Sequence, residues 1–360
     1  MSARRTESRR PRRWLRRLKT AALTLLILGL IGAGLWRRPG FTLPIALFDG
    51  GRSIAALEPV ELGGARQWVL IRGEDRTKPI LLFLHDRGES LLALSGAFQR
   101  PLERDFVVVQ WDRRGQGKSS AEDFDARTLR SSRELADAGE LLDLLRRRFD
   151  GRRVIVVGHG YGAYLAMALA QARPDDVRAV VGVGQEACAP GDARAIQDSF
   201  LRREAKLAGD ARAFAVANSG GADRPEERRA ALLRRGGVIR DAEGMWRLRL
   251  AAWTAPEYSL PDQLRARRSR DLALTRLVRD GPELPLARSI PALAVPAYVF
   301  IGHDDYVTPS LCAERFADAL QAPVKEEIWF DRSAHYPFVE EPARFREELL
   351  KVVAASAGRP

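Results

Sequence analysis

Only two cysteines, Cys188 and Cys312, occur in 360 residues, and their separation fits no metal motif. No metal and no cofactor is expected. Two ordinary, partly buried thiols are the favoured expectation, with pairing in an oxidising compartment as the alternative. Acids are nearly missing from the start of the chain. Residues 1–38 hold eleven Arg or Lys against one acid, Glu7, which accounts for +10 of the net charge of +12. The remaining +2 is spread over residues 39–360. A basic tail does not make a basic domain, so no nucleic-acid partner is expected.

Charge of either sign is absent from Thr20 to Trp36. That length is near the lower limit for crossing a bilayer, where about 17–25 residues are usual. Trp14 and Trp36 suit the two interfaces, and the dense arginines before Lys19 predict a cytoplasmic N-terminus. No A-x-A cleavage site follows, so an uncleaved anchor is expected rather than a secretory signal. The expected layout is a basic tail over 1–19, a transmembrane anchor over 20–36 and a linker over 37–53. The globular part would then lie on the outer, periplasmic or extracellular side.

The chain beyond is organised around Val154-Ile155-Val156-Val157-Gly158-His159-Gly160-Tyr161-Gly162-Ala163. A β-branched apolar run predicts a strand buried on both faces, and the Ala/Leu-rich stretch after it predicts a helix. Strand, tight turn and helix with Gly two before and two after the apex is the frame of the G-x-S-x-G elbow, which presents a nucleophilic hydroxyl. Here the apex is Gly160, with no side chain to present. The same letters, Gly158-x-Gly160-x-x-Ala163, also fit a dinucleotide fingerprint. That motif usually follows a first strand, not a fifth, and asks for an acid about 20 residues on, whereas Glu186 lies later.

Along the chain, 54–62 and 67–73 alternate as strands across Gly63-Gly64, and 79–85 and 106–110 are further strands. The segment Trp111–Ser119 imitates a phosphate loop, but Asp112 stands where a Walker motif needs glycine. Ser131 and Glu134 predict a capping box opening an amphipathic helix. Strands follow at 177–184, 297–301 and 324–330, and 345–353 closes as a helix. Residues 189–290 contain no buried-strand run and predict a helical cap. It divides a core over 54–188 from its second part over 291–360. The fold class expected is α/β, a mainly parallel sheet with helices on both faces.

Two more segments bear on the elbow. Gly302-His303-Asp304-Asp305 follows one buried strand, and Ser333-Ala334-His335 follows the last. The order elbow, acid, histidine is that of α/β-hydrolases. From about 62 to 353 the chain resembles that superfamily, and within it the proline-iminopeptidase-like branch. That branch has a His-Gly-Gly-Pro-Gly loop, a Trp-Asp-Gln-Arg-Gly-x-Gly-x-Ser segment, a Gly-x-Ser-x-Gly elbow, a helical cap, a Gly-x-x-Asp acid and a late His. Residues 110–119 match with Arg113 for Gln. The resemblance implies that Asp305 is the acid, ahead of its neighbour Asp304, and His335 the base. The acidic-Pro-x-x-Phe pattern after it is met by Glu341 to Phe345.

The departures fall on chemistry. Gly160 replaces the nucleophile, and His85-Asp86-Arg87-Gly88-Glu89 replaces the glycine loop that shapes one side of the oxyanion hole. Such a hole needs backbone N–H donors, worth roughly 2.7–4 kcal/mol each. The Tyr161 N–H remains as one donor. A carboxylate at Asp86 would oppose the developing charge, and Arg87 would offset part of it. A membrane-anchored pseudo-hydrolase holding a small-molecule or peptide ligand under its cap is the first expectation. An enzyme using His335 and Asp305 as a general base on water or an acidic C–H is the second. A purely structural His335–Asp305 pair and a displaced Cys188 nucleophile are further alternatives. Tyr161 is expected on a pocket wall, His159 below the turn, and Arg265, Arg267, Arg268 and Arg270 on a solvated face; none of their side chains is given a catalytic role.

Overall fold

Runs such as Ile-Leu-Leu-Phe-Leu and Val-Ile-Val-Val have no polar face to give to water, and they become the centre of one sheet. The computed structural model describes residues 11–37, 40–45, 49–88, 98–120, 125–222, 224–279 and 285–356. Residues 1–10 of the basic tail, 38–39 and 46–48 of the linker, and Glu89 lie outside these. The strands are β1 (Ile54–Leu62), β2 (Ala65–Gly73), β3 (Ile80–Leu84), β4 (Val107–Asp112), β5 (Val154–His159), β6 (Val177–Val183), β7 (Ala297–Gly302) and β8 (Lys325–Phe330). They form an eight-stranded sheet in the order β1-β2-β4-β3-β5-β6-β7-β8. β1, β2 and β4 pair antiparallel, and all later pairs are parallel.

The helices are α1 (Pro11–Arg37), α2 (Ser131–Arg148), α3 (Tyr161–Ala172), α4 (Pro190–Ala208), α5 (Ala211–Ala217), α6 (Pro225–Arg234), α7 (Ala242–Thr254), α8 (Leu260–Arg279), α9 (Leu286–Ser289), α10 (Ser310–Ala319), α11 (Pro337–Glu340) and α12 (Pro342–Ala355). One sheet face packs on α2, α3 and α10 through Leu141, Leu165 and Phe316. The other packs on α12 through Phe345, Leu349 and Val352. Between β6 and β7 the described residues carry α4 to α9, joined by loops. Lys118 after β4 is pinned to Asp262 of α8 at 2.6 Å, both side chains 6% exposed. Asp112 accepts the Lys118 N–H at 2.6 Å and the Tyr258 hydroxyl. The segment that imitates a phosphate loop is therefore a strut between the core and the helical insertion.

Four local expectations change. α1 begins at Pro11, not at Thr20, because Arg and Lys are good helix formers and Pro suits a first turn. Among the described residues no helix is long and apolar enough to cross a membrane, so the expected span over 20–36 is not found there as such. The apolar side chains from Leu23 to Leu30 on α1 nonetheless stand 47–69% exposed. The linker is not a free tether: the Phe41 N–H donates to the Pro256 carbonyl at 3.0 Å. The capping box does not form, since Arg130 caps α2 without a side-chain bond. Glu134 instead turns inward, accepting from the Gln116 amide at 2.8 Å.

The fourth change concerns the cysteines. Cys188 and Cys312 are joined in a disulfide across 124 residues of sequence. It ties the entrance of the insertion to α10. By the chain-entropy argument, closing a loop of about 100 residues stabilises by up to roughly 4.7 kcal/mol. A thiol consumed in this way is no nucleophile, so the Cys188 alternative is set aside.

Candidate functional site

The turn from β5 to α3 is tight because glycine packs where no side chain fits. A Cβ on Gly162 would overlap the Leu84 carbonyl and lie 2.5 Å from that of His85. Gly160 sits at the apex with φ +56° and ψ −122°, a conformation that L side chains rarely adopt. Its N–H donates to the Val183 carbonyl at 3.0 Å, which holds the apex at the carboxyl end of the sheet.

The space above Gly160 is filled. A Cβ built there would overlap Asp86 Cγ, at 2.5 Å from Oδ1 and 2.9 Å from Cβ. Asp86 follows β3, and its side chain folds back across the turn. Oδ1 accepts the Arg87 N–H at 2.7 Å and the Tyr161 N–H at 2.9 Å. The latter donor opens α3, where the helix end favours negative charge. Asp86, expected beside these backbone donors, instead lies directly over Gly160, because the turn below has no side chain to exclude it. The dinucleotide reading fails for the same reason, since a pyrophosphate would meet a fixed negative charge at that helix terminus.

His335 follows β8 with its ring fully buried, and its backbone N–H donates to the Val238 carbonyl at 3.1 Å. Nδ1 lies 2.9 Å from Asp305 Oδ2. Asp305 is fixed in turn: Oδ1 accepts the Val307 and Thr308 N–H groups at 2.9 and 3.0 Å, and Oδ2 accepts the Thr308 hydroxyl at 2.7 Å. On the other side, Nε2 lies 3.8 Å from Asp86 Oδ2. That is an ion-pair distance, too long for a hydrogen bond. Asp304 points elsewhere, pairing with Arg240 at 3.1 Å.

One imidazole between two carboxylates determines the charge state. Burial alone would lower the His335 pKa, but the charge and hydrogen bond of Asp305, joined by Asp86, raise it to about 10. Burial raises the Asp86 pKa, yet His335 and the Tyr161 N–H outweigh it and hold the carboxyl far below the usual range. At neutral pH His335 is therefore protonated, and it faces the ionised Asp86. An imidazolium is not a base, which weakens the expected role of the His335–Asp305 dyad in proton abstraction.

Several neighbours differ from expectation. Tyr161 is fully buried beneath Arg87, whose guanidinium lies 4.2 Å from the ring centroid, and is no pocket wall. Arg87 also pairs with Glu186. His159 does pack below the turn, its Nε2 2.8 Å from the His335 carbonyl. Sequence reasoning gave Arg113 no role, although its departure from the family's Gln was visible. Fully buried, it donates to the Asp86 carbonyl at 3.0 Å and lies 3.4 Å from Glu134, stiffening the loop that carries Asp86. Thr308, whose hydroxyl lies within hydrogen-bond reach of both Asp305 and the Gly184 carbonyl, was also missed because hydroxyl partners leave no sequence pattern.

The profile described as "Alpha/beta hydrolase family" matches residues 81–348. The chain belongs to that family. "Probable aminopeptidase YbaC" of Bacillus subtilis (strain 168) is 26% identical over 309 residues, covering 83% of this chain and 96% of that protein. Among solved structures, a proline iminopeptidase-related protein from Thermus thermophilus is 21% identical with a TM-score of 0.59, covering 84% of this chain and 98% of its own. A bacterial membrane phospholipase A is 17% identical with a TM-score of 0.56 and covers 96% of this chain and 98% of its own. At these identities the structures speak for the α/β-hydrolase fold alone.

Proposed function

We propose that this α/β-hydrolase-family protein, similar to proline iminopeptidases, has lost serine-dependent cleavage of esters and peptides. The observation that carries this is the Asp86 carboxylate, which fills the space over Gly160 and takes the Tyr161 and Arg87 N–H groups. Gly160 then stands at the nucleophile position, and no acyl-enzyme forms without a hydroxyl there. An incoming carbonyl oxygen finds both donors engaged. A small molecule or peptide beneath the helical insertion is the partner class proposed. The purified protein is expected to release no nitrophenolate from p-nitrophenyl butyrate above a His335→Ala control. A burst of one product per chain would overturn the reading.

The second part of the proposal is a membrane-anchored chain with the globular part on the outer side. Every described side chain from 20 to 30 on α1 is exposed. A helix apolar on all sides is stable when buried, and lipid is one medium that buries it. The Cys188–Cys312 disulfide suits an oxidising compartment. The full chain should stay with membranes through an alkaline wash, and deletion of residues 1–37 should release it. Recovery of the intact chain in the soluble fraction would contradict the anchor.

A further inference from the structure

We propose that the exposed face of α7 and α8 is a membrane-docking surface, seated on a bilayer that carries anionic headgroups. The inference rests on the reading of α1 as a membrane anchor, and extends it to how the globular part lies on that membrane.

Trp246 and Leu250 lie one turn apart on α7, and Leu260 and Leu264 one turn apart on α8, all 38–63% exposed. An exposed arginine continues each row, Arg249 on α7 and Arg268 one turn beyond Leu264 on α8. The inward faces are committed to the core through Ala251 and Ala273, so these four apolar side chains are turned away from it. The exposed acids Glu243 and Asp271 lie toward the ends of the helices farther from the corner that joins them. An apolar row with a tryptophan and an arginine rim is the composition of a helix that lies in a bilayer interface. The arginines complement anionic lipid.

The connection from α1 selects the bilayer as what covers this face. α1 ends at Arg37, and at most about 14 Å of chain leads from there to Phe41. The Phe41 N–H is bonded at 3.0 Å to the carbonyl of Pro256, in the corner between α7 and α8. A Cβ on Gly40 would overlap the Glu257 carbonyl, so the chain lies hard against that corner. Beyond it, the Thr42 hydroxyl and the Leu43 carbonyl accept from Arg72 of β2. α1 also comes alongside α8. With α1 in lipid, the corner is therefore kept close to the headgroups. Leu250 precedes Pro256 by six residues and Leu260 follows it by four, so both rows start where the anchor emerges. Beneath the corner, Ala255 and Tyr258 pack on Leu70 of β2, next to the β1 edge of the sheet. β8 is the opposite edge, roughly 34 Å away at the usual strand spacing. Interfacial contacts of this kind are reversible, so they orient the protein while α1 holds it.

The test uses the full chain in vesicles of phosphatidylcholine and phosphatidylglycerol, part of the lipid carrying a nitroxide on its acyl chain. A polarity-sensitive fluorophore is attached at Leu250→Cys or Leu264→Cys, with Glu326→Cys on β8 as the reference. All three positions are exposed, and the native cysteines are consumed in their disulfide. Nitroxide quenching and a blue-shifted emission are expected at Leu250 and Leu264 and neither at Glu326. Arg249→Glu with Arg268→Glu should lower the docked-to-undocked ratio, read from quenching at Leu264, by about fivefold or more per arginine. Quenching indifferent to the two reversals overturns the headgroup contact. A chain that stays with the membrane through an alkaline wash, yet is quenched no more at Leu250 and Leu264 than at Glu326, overturns the docking alone. A blue shift without quenching that grows with protein density in the vesicle would mean that a second copy covers the face, and also overturns it. Release of the full chain by the wash would instead overturn the anchor, and the docking with it.

Discussion

Gly160→Ser combined with Asp86→Gly is expected to create a nitrophenolate burst from p-nitrophenyl butyrate where neither change alone does so. With Gly160→Ser alone, the new Cβ has nowhere to go, because the Asp86 carboxyl fills the space above the turn. With Asp86→Gly alone, the two backbone donors are free but the apex at Gly160 still offers no hydroxyl to His335 Nε2. The pair together places a hydroxyl beside the imidazole and returns the Tyr161 and Arg87 N–H groups to the substrate. It also removes one carboxylate from His335, which lowers its pKa toward the range of a working base. Each recovered donor is worth about 10²–10³ in rate. The double variant should therefore exceed either single variant by at least about 10²-fold in burst rate. A burst in Gly160→Ser alone would mean that Asp86 yields, and that the carboxylate does not block the site.

Stability should fall as pH rises from about 6.5 toward 10. The folded pKa of His335 is raised from 6.5 to about 10, so its contribution is fully present below 6.5 and is lost as pH climbs through the folded value. At 1.36 kcal/mol per unit, the loss is on the order of 3–5 kcal/mol. Asp86 acts in the opposite direction. Its pKa is depressed, so its contribution is present above its ordinary value and fades as pH falls below about 4. Urea unfolding of the full chain should therefore show greatest stability between these limits. His335→Gln should flatten the alkaline limb while leaving the protein less stable overall. An alkaline limb that survives that substitution would place the titrating group elsewhere.

The sheet was legible because its evidence is local. Ile80–Leu84, Val154–Val157 and Ala297–Ile301 are too apolar to face water, and each becomes a fully buried strand. The Asp305 and His335 positions were legible because each follows a strand end at a spacing the fold uses, and the structure brings them together at 2.9 Å. What stayed hidden depends on long-range closure. The Cys188–Cys312 bond joins the segment after β6 to α10, which no sequence pattern relates. Ser131 and Glu134 have the letters of a cap, but Glu134 finds Gln116 and Arg113 in the interior, and this wins. Asp86 and Gly160 were each visible as departures from the family pattern. That the first occupies the space left by the second could be seen only once β3 and β5 lay side by side, paired from Leu81↔Ile155 to Leu84↔Gly158.

On the proposed reading, Gly160 and Asp86 act as one feature in two places. A small residue at the turn admits the carboxylate, and the carboxylate takes up the two donors and the face of His335. The most direct measurement is the intact mass of the full-length protein after exposure to an excess of a fluorophosphonate. The account predicts an unshifted mass, with Ser119 and Ser333 both unmodified. Stoichiometric addition to any serine near His335 would contradict it.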